Sequence, residues 1–252
     1  MNVYLIGLLW VFGAVAIATL LMIVIRRFIS AERRDAGDEA AGRVFTVVAG
    51  LNAVLVAFVL ISLFDAVGAA RAGAHQEANS LVAVYWGADL LPEPARAEIQ
   101  KRCRSYATTV VNKDWPQMRD NKPVDETGKV QLEQIHQAIT SVTPTSFAEE
   151  ERQVAVESQL SAVYKARQQR LEAAEFRISS ILWLTLIVGA VLSVGLTCLF
   201  GGSKLSTHII VAATLAGTLT ILLFAIYQLQ NPFSGGVKVG PEALDSALRQ
   251  FA

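Results

Sequence analysis

Four apolar stretches, residues 3–25, 44–64, 178–200 and 207–229, stand in pairs on either side of one long polar stretch, and none of them contains Asp, Glu, Lys or Arg. At about 1.5 Å of rise per residue, each is long enough as a helix to cross a hydrocarbon core of about 30 Å. Their continuity lacks the two-residue alternation of a barrel strand, so helices are the remaining way to satisfy the backbone in lipid. The pattern predicts an all-α integral membrane protein with four transmembrane helices in a 2+2 arrangement. Residues 1–65 form the first hairpin, 66–177 a helical soluble insert between the second and third helices, 178–229 the second hairpin and 230–252 a C-terminal tail.

Within the insert, Ile99, Cys103, Tyr106 and Val110 recur at three- and four-residue spacing and share one helical face. That helix is expected to end near Asp114-Trp115-Pro116, because proline disfavours helical geometry in the residue before it. Residues 119–128, rich in Asp, Asn, Pro and Gly, read as a loop. A short helix follows with Val130, Ile135, Ile139 and Val142 apolar. Ser146 and Glu149 then form a capping-box pair that opens a long helix through Val154, Leu160, Tyr164, Leu171 and Ala174. No breaker precedes the third span, and no strong turn chemistry separates Phe64 from Leu81. The second and third membrane helices are therefore expected to leave the bilayer as long continuous helices.

Composition refines this picture only in part. Apolar residues make up 53% of the chain and charged ones 17%, the balance expected when a polar insert dilutes four spans. The formal net charge is zero, which argues against a nucleic-acid partner, since a polyanion binder carries a basic excess. Arg26-Arg27 follow the first run rather than precede it, the reverse of a signal peptide, so that run is expected to be a retained helix. Arg26, Arg27, Arg33, Arg34 and Arg43 crowd the first short loop and Lys204 sits in the other. By the positive-inside rule both loops are cytoplasmic, which leaves the insert and termini outside; Lys165, Arg167, Arg170 and Arg177, just before the third span, argue the opposite.

Candidate chemistry is sparse. Cys103 and Cys198 are the only cysteines, too few for a metal cluster or a disulfide framework. His75, His136 and His208 lack zinc-site spacing, and no phosphate loop, nucleophile elbow or cleft carboxylate pair is present, so neither an enzyme nor a cofactor or metal site is expected. Small residues recur every four positions at Ala49, Ala53 and Ala57, at Gly189, Ser193 and Thr197, and at Ala213 and Gly217. Close helix packing explains them most simply, and a pore lining is the other reading. Asn52 is the most polar residue deep in a span and needs a partner on another helix or in water.

Several segments in order resemble the bacterial bestrophin-like membrane domain. They are Ile25-Arg26-Arg27, Gly42-Arg43-Val44-Phe45, Leu55-Val56-Ala57-Phe58-Val59, Glu77-Ala78 with Leu81 and Tyr85, Tyr106, Asp114-Trp115-Pro116, Arg170-Leu171, Trp183, Phe200-Gly201 and Pro232-Phe233-Ser234-Gly235. Two places depart from the family pattern: Gln230-Asn231 replaces Asp-Arg, and Ser179-Ser180 replaces prolines entering the third span. The resemblance implies a bacterial inner-membrane homo-oligomer, a pentamer in the bestrophin plan, with an anion pore lined by an apolar neck on the second helix. It also implies a cytoplasmic insert and termini, against the orientation from the arginines. Its partners would be the lipid bilayer, further copies of itself and inorganic ions. On that plan the pore-lining residues would be Asn52, Val56, Val59 and Leu63, with Asp65 and Glu77 near the mouth. Acidic residues there suit anions poorly, which leaves a cation or weakly selective pore in play. Trp115, Pro116, Pro232, Phe233, Ser234 and Gly235 would be structural signature residues. The rival reading is a non-conducting scaffold or sensor whose insert binds a partner.

Overall fold

The computed structural model describes residues 3–28, 38–197 and 205–251; Arg33, Arg34, Cys198, Phe200-Gly201 and Lys204 lie outside the described residues. The described chain is helical, without a strand: α1 (Val3–Phe28), α2 (Asp38–Gly87), a short 3-10 turn (Ala88–Leu90), α3 (Ala95–Thr109), a π turn (Val110–Asp114), α4 (Trp115–Arg119), α5 (Thr127–Thr140), α6 (Phe147–Glu175), α7 (Ser180–Thr197), α8 (Leu205–Leu229) and α9 (Glu242–Gln250). Four of these are long and apolar enough to cross a membrane: α1, α2 from Gly42 onward, α7 and α8. The chain divides into two compact units, Met1–Phe64 with Arg177–Gln230, and Asp65–Phe176 with Asn231–Ala252.

In the first unit α1 lies along α8, and α8 against α7. Trp10 stacks on Tyr227 with ring centroids 6.2 Å apart and tilts against Phe224 at 6.4 Å. Gly7 makes room for that Phe224 ring, because a Cβ there would lie 2.7 Å from it. Further along, Gly217 meets Val11 and Val15, and Met22 is buried with Ala212. Small residues at these crossings let backbones approach where water supplies no hydrophobic drive.

The second unit has a conventional apolar core. Ile99, Cys103, Tyr106 and Val110, the face expected from their spacing, are all fully buried, together with Leu81, Val84, Leu132, Ile135 and Ile139. α3 packs on α5, α5 on α6, and α9 on α3. Ser146 Oγ accepts from Glu149 N at 3.3 Å, while Glu149 Oε2 accepts from Thr145 N at 2.6 Å and Thr145 Oγ1 at 2.7 Å, so the capping box closes on Thr145. Those bonds hold the Glu149 carboxyl below its ordinary range. On the neighbouring loop, Lys113 and Thr127 hold Asp125 down to about 2.

Three expectations need correction. The helix of the insert does not end before Pro116: the π turn carries it through Asp114, where Trp115 N donates to Val110 O, and α4 continues with Pro116 in its first turn. A first-turn proline has no intrahelical N–H to lose, so the wider turn restarts the helix without a clash. The third span is not continuous with α6. Phe176 adopts an extended ψ of 130° after Glu175, and Ser179 restarts the chain, its Oγ accepting from Leu182 N at 3.3 Å and its carbonyl from Trp183 N at 3.1 Å. Ser179, one of the two serines that stand where the resembled family has prolines, thus starts the helix by capping it. Finally, α6 buries Val156, Leu160, Val163, Ala166, Arg167 and Arg170, while Val154 is exposed.

Candidate functional site

α2 organises the functional geometry because its two sides differ. Asn52, Val56, Val59, Leu63, Val67, Ala70, Ala74, Glu77, Leu81 and Val84 follow one another at three- and four-residue spacing, and every one is buried. The structure therefore brings Asn52, Val56, Val59 and Leu63 together as expected, but on the side of α2 enclosed by its own chain. The opposite side presents Val47, Val54, Phe58 and Ile61, each more than half exposed, followed by exposed Asp65. The Asp65 carboxylate makes no hydrogen bond or ion pair with the described residues.

Asn52 rests against α7. A Cβ at residue 189 would collide with its side-chain oxygen and would lie 2.8 Å from its Cγ, so glycine is what lets the amide lie there. Oδ1 is buried without a hydrogen-bond partner. Beside it runs an apolar groove of about 420 Å³ between α2 and α7, bordered by Leu51, Leu55, Leu184 and Val188. A buried amide without a protein partner is costly in lipid, which makes this the most strained polar position of the first unit.

Glu77 does not lie at an open mouth. In the second unit it is completely enclosed and forms a bidentate pair with Arg170, Nε to Oε2 at 2.7 Å and Nη2 to Oε1 at 3.0 Å. Tyr106 Oη donates to Glu77 Oε1 at 2.6 Å. Arg170 Nη2 also reaches Asp114 Oδ2 at 3.4 Å, and Arg167 Nη1 donates to the same oxygen at 2.7 Å. Two carboxylates thus face two guanidiniums in a core where an unpaired charge would be untenable. Burial opposes the charge on Arg170, but Glu77, its hydrogen bonds, Tyr106 and Asp114 outweigh that and hold it above the ordinary arginine value. Burial, then the Glu77 carboxylate, push the Tyr106 phenol well up, so it stays a donor.

The surrounding residues shape this cluster. The Arg170 guanidinium lies over the Trp115 ring at 5.2 Å, and a Cβ at Gly128 would strike Arg167 Nη1 at 2.7 Å. Trp115 Nε1 donates to Val239 O at 3.1 Å and its ring meets Phe233 edge-on at 5.6 Å. Pro232-Phe233-Ser234-Gly235 forms the turn that brings the tail there: Asn231 Oδ1 accepts from Phe233 N at 2.8 Å, Val239 N donates to Pro232 O at 2.8 Å, and Gly235 takes a φ of 80° that favours glycine. Further along the tail, Phe251 stacks on Tyr85 at 4.4 Å, and Tyr85 Oη donates to its carbonyl at 3.2 Å.

Sequence reasoning missed the pairing of Arg167 and Arg170, read there as juxtamembrane charge and, for Arg170, as part of the Arg170-Leu171 family step. Their signal was periodic: they continue the three- and four-residue spacing of Val156, Leu160 and Val163. Every charged group of the cluster has an opposite-charge partner, an arrangement suited to holding helices together rather than to proton transfer. Among the described residues no group of His, Cys, Asp and Glu is placed to hold a metal ion.

Comparison with known proteins agrees with this architecture. The bestrophin-like domain family matches residues 12–244. Among solved structures, a mutant bacterial bestrophin homologue from Klebsiella pneumoniae is similar at a TM-score of 0.73 and 13% identity, covering 96% of this chain and 97% of that one. A second, described as a membrane protein with a proline-to-alanine substitution, has a TM-score of 0.70 at 12% identity over 96% and 97% of the two chains. At such identities the likeness is one of fold. No curated protein matches in sequence. With the family matched over almost its whole length and the same fold seen in a bestrophin homologue, the chain is a membrane protein of the bestrophin-like domain family.

Proposed function

We propose that this chain is one subunit of a homo-oligomeric ion channel in the bacterial inner membrane, built from two transmembrane hairpins around a helical insert, with α2 lining the pore. The observation that carries the reading is the two-sidedness of α2. One stripe is completely buried within the chain, while Val54, Phe58 and Ile61 form an apolar face turned away from it and ending at Asp65. Had Asn52, Val56, Val59 and Leu63 been the lining, the pore would have to run through the interior of a single subunit. A ring of subunits, five in the bestrophin plan, instead places the Val54, Phe58 and Ile61 face around an axis, where an apolar constriction gates by dewetting.

The test is conductance in reconstituted vesicles shown to hold folded oligomer. Wild type is expected to conduct and Phe58→Ala to conduct more, because the constriction widens. Silence from both would refute the channel and leave the scaffold reading. That second reading has one observation in its favour, an open groove of about 900 Å³ between α3 and α5 lined by Glu93, Glu98, Lys101, Arg102, Gln134 and Gln137.

We also propose that the insert and termini face outward, on the strength of the arginines in the first short loop. A cysteine at Asp120 is expected to react with an impermeant thiol reagent in intact cells and one at Gly37 to be shielded. The reverse pattern would establish the cytoplasmic insert of the bestrophin plan.

A further inference from the structure

Asn52 stands eight residues beyond Val44, where its apolar run begins, and twelve before Phe64. Along a helix those steps span about 12 and 18 Å, so the amide lies near the middle of a hydrocarbon core of about 30 Å. Its side chain makes no hydrogen bond with the described residues. Oδ1 is turned onto Gly189 and is itself enclosed, so what Asn52 shows to its surroundings is the Nδ2 amide with its N–H donors. Those donors meet the groove between α2 and α7, which Asn52 lines. Every other side chain there is hydrocarbon except Thr185, whose hydroxyl already donates to Ile181 O at 2.9 Å. Among the described residues the groove therefore offers one unpaired donor group between apolar walls, all of it within the first unit.

We infer that this groove binds an uncharged, lipid-soluble carbonyl compound of one or two rings, the chemistry of a quinone, whose oxygen accepts from Asn52 Nδ2. Its volume of about 420 Å³ suits such a ligand. A cavity of roughly 150 Å³ takes up benzene, and small-molecule sites of roughly 300–1,000 Å³ combine apolar walls with a few polar groups that fix orientation. An acyl chain would cover Leu51, Leu55, Leu184 and Val188 but leave the amide N–H groups unpaired in lipid. The ester carbonyls of a bilayer lipid sit at the edge of the hydrocarbon core, about 12 Å or more from Asn52. A charged ligand would meet no counter-charge, because no Asp, Glu, Lys or Arg lines the groove. What remains is a neutral carbonyl that travels within the bilayer. The assignment does not depend on conduction, and a ligand there touches α2 and α7 together.

Benzophenone, a two-ring ketone, is the probe: on illumination its carbonyl carbon bonds to a neighbouring C–H carbon and so marks where it sat. Full-length protein in phosphatidylcholine vesicles is illuminated with it, and the adducts are located by mass spectrometry. Leu55, Leu184 and Val188 should be labelled in preference to Leu9 and Phe12, exposed residues of α1. Asn52→Leu should lower groove labelling about fivefold, the effect of one lost hydrogen bond. Val188→Trp, which fills the groove, should abolish it with Asn52 in place. Excess duroquinone should compete, whereas diphenylmethane, similar in shape to the probe but without its carbonyl, should not. Because the Asn52 amide has no partner to lose, Asn52→Leu is expected to elute as the wild type does. Labelling unmoved by Asn52→Leu, or diphenylmethane competing as well as duroquinone, would overturn the inference in favour of an acyl-chain groove. Groove adducts that are absent while Leu9 and Phe12 are labelled, or that form only in dissociated monomers, would overturn it in favour of a groove closed by a second copy.

Discussion

Replacing Glu77 by Gln keeps its shape and an acceptor for Tyr106 but leaves the enclosed cluster with one surplus positive charge. Arg170 then loses the bond at 2.7 Å, where an amide NH2 now faces its Nε–H, and keeps a neutral bond at 3.0 Å to the oxygen shared with Tyr106 and the contact at 3.4 Å to Asp114, an oxygen already held by Arg167 at 2.7 Å. Both Glu77 and Arg170 are completely enclosed, so water cannot replace the lost partner. Breaking a buried pair of this kind costs about 3–5 kcal/mol. For a chain of this size that corresponds to a fall of roughly 6–20 °C in the unfolding midpoint. The cluster also predicts how to repair the damage. It contains two opposite-charge pairs, so Glu77→Gln combined with Arg170→Met restores neutrality and leaves Asp114 with Arg167. The double variant should therefore recover more than half of the loss, as expected when a whole buried pair is exchanged for apolar packing. Thermal unfolding of detergent-purified protein, followed by tryptophan fluorescence, measures both. A fall of less than about 4 °C for Glu77→Gln, or a double variant no more stable than the single, would refute the reasoning.

Two further outcomes follow from the packing. Burial pushes the Cys103 thiol up from its ordinary value of 9.0, and burial with Glu77 pushes the Tyr106 phenol above 10.0. Both groups stay protonated in the folded protein while the unfolded chain can release their protons, so stability is complete below about pH 9 and falls above it. Cys103→Ala should delay that alkaline decline to about pH 10, and an unchanged pH profile would contradict the assignment. At residue 189 an added Cβ collides with the Asn52 amide, so Gly189→Ala should lower thermal stability measurably, whereas Gly189→Ala in an Asn52→Ala background should cost much less. Equal losses in both backgrounds would show that the clash lies elsewhere.

How much the sequence revealed depended on whether one period carried the information. The four spans were legible because uninterrupted apolar length in lipid leaves only a helix, and the α3 face was legible because Ile99, Cys103, Tyr106 and Val110 keep one phase. The break before α7 was hidden because Ser179-Ser180 reads first as a departure from the family's prolines, although serine before an apolar run is also a starting signal. The π turn had no signature beyond Pro116 itself. For the proposed lining, the sequence points to α2 but to neither of its sides. In α2 both sides are apolar, so Val56 and Val59 look no different from Val54 and Phe58 until packing shows which is enclosed. Glu77 and Arg170 are 93 residues apart, and charge in a polar insert normally means solvent, so their pairing was invisible without the fold.

The central claim is that copies of this chain surround an axis with α2 innermost. A single-particle image of the purified protein tests it most directly. The expected result is a ring with Val54, Phe58 and Ile61 facing a central hole, Asp65 just beyond them and Glu77 closed onto Arg170 inside each subunit. A monomer, or a ring in which α2 lies away from the axis, would contradict it.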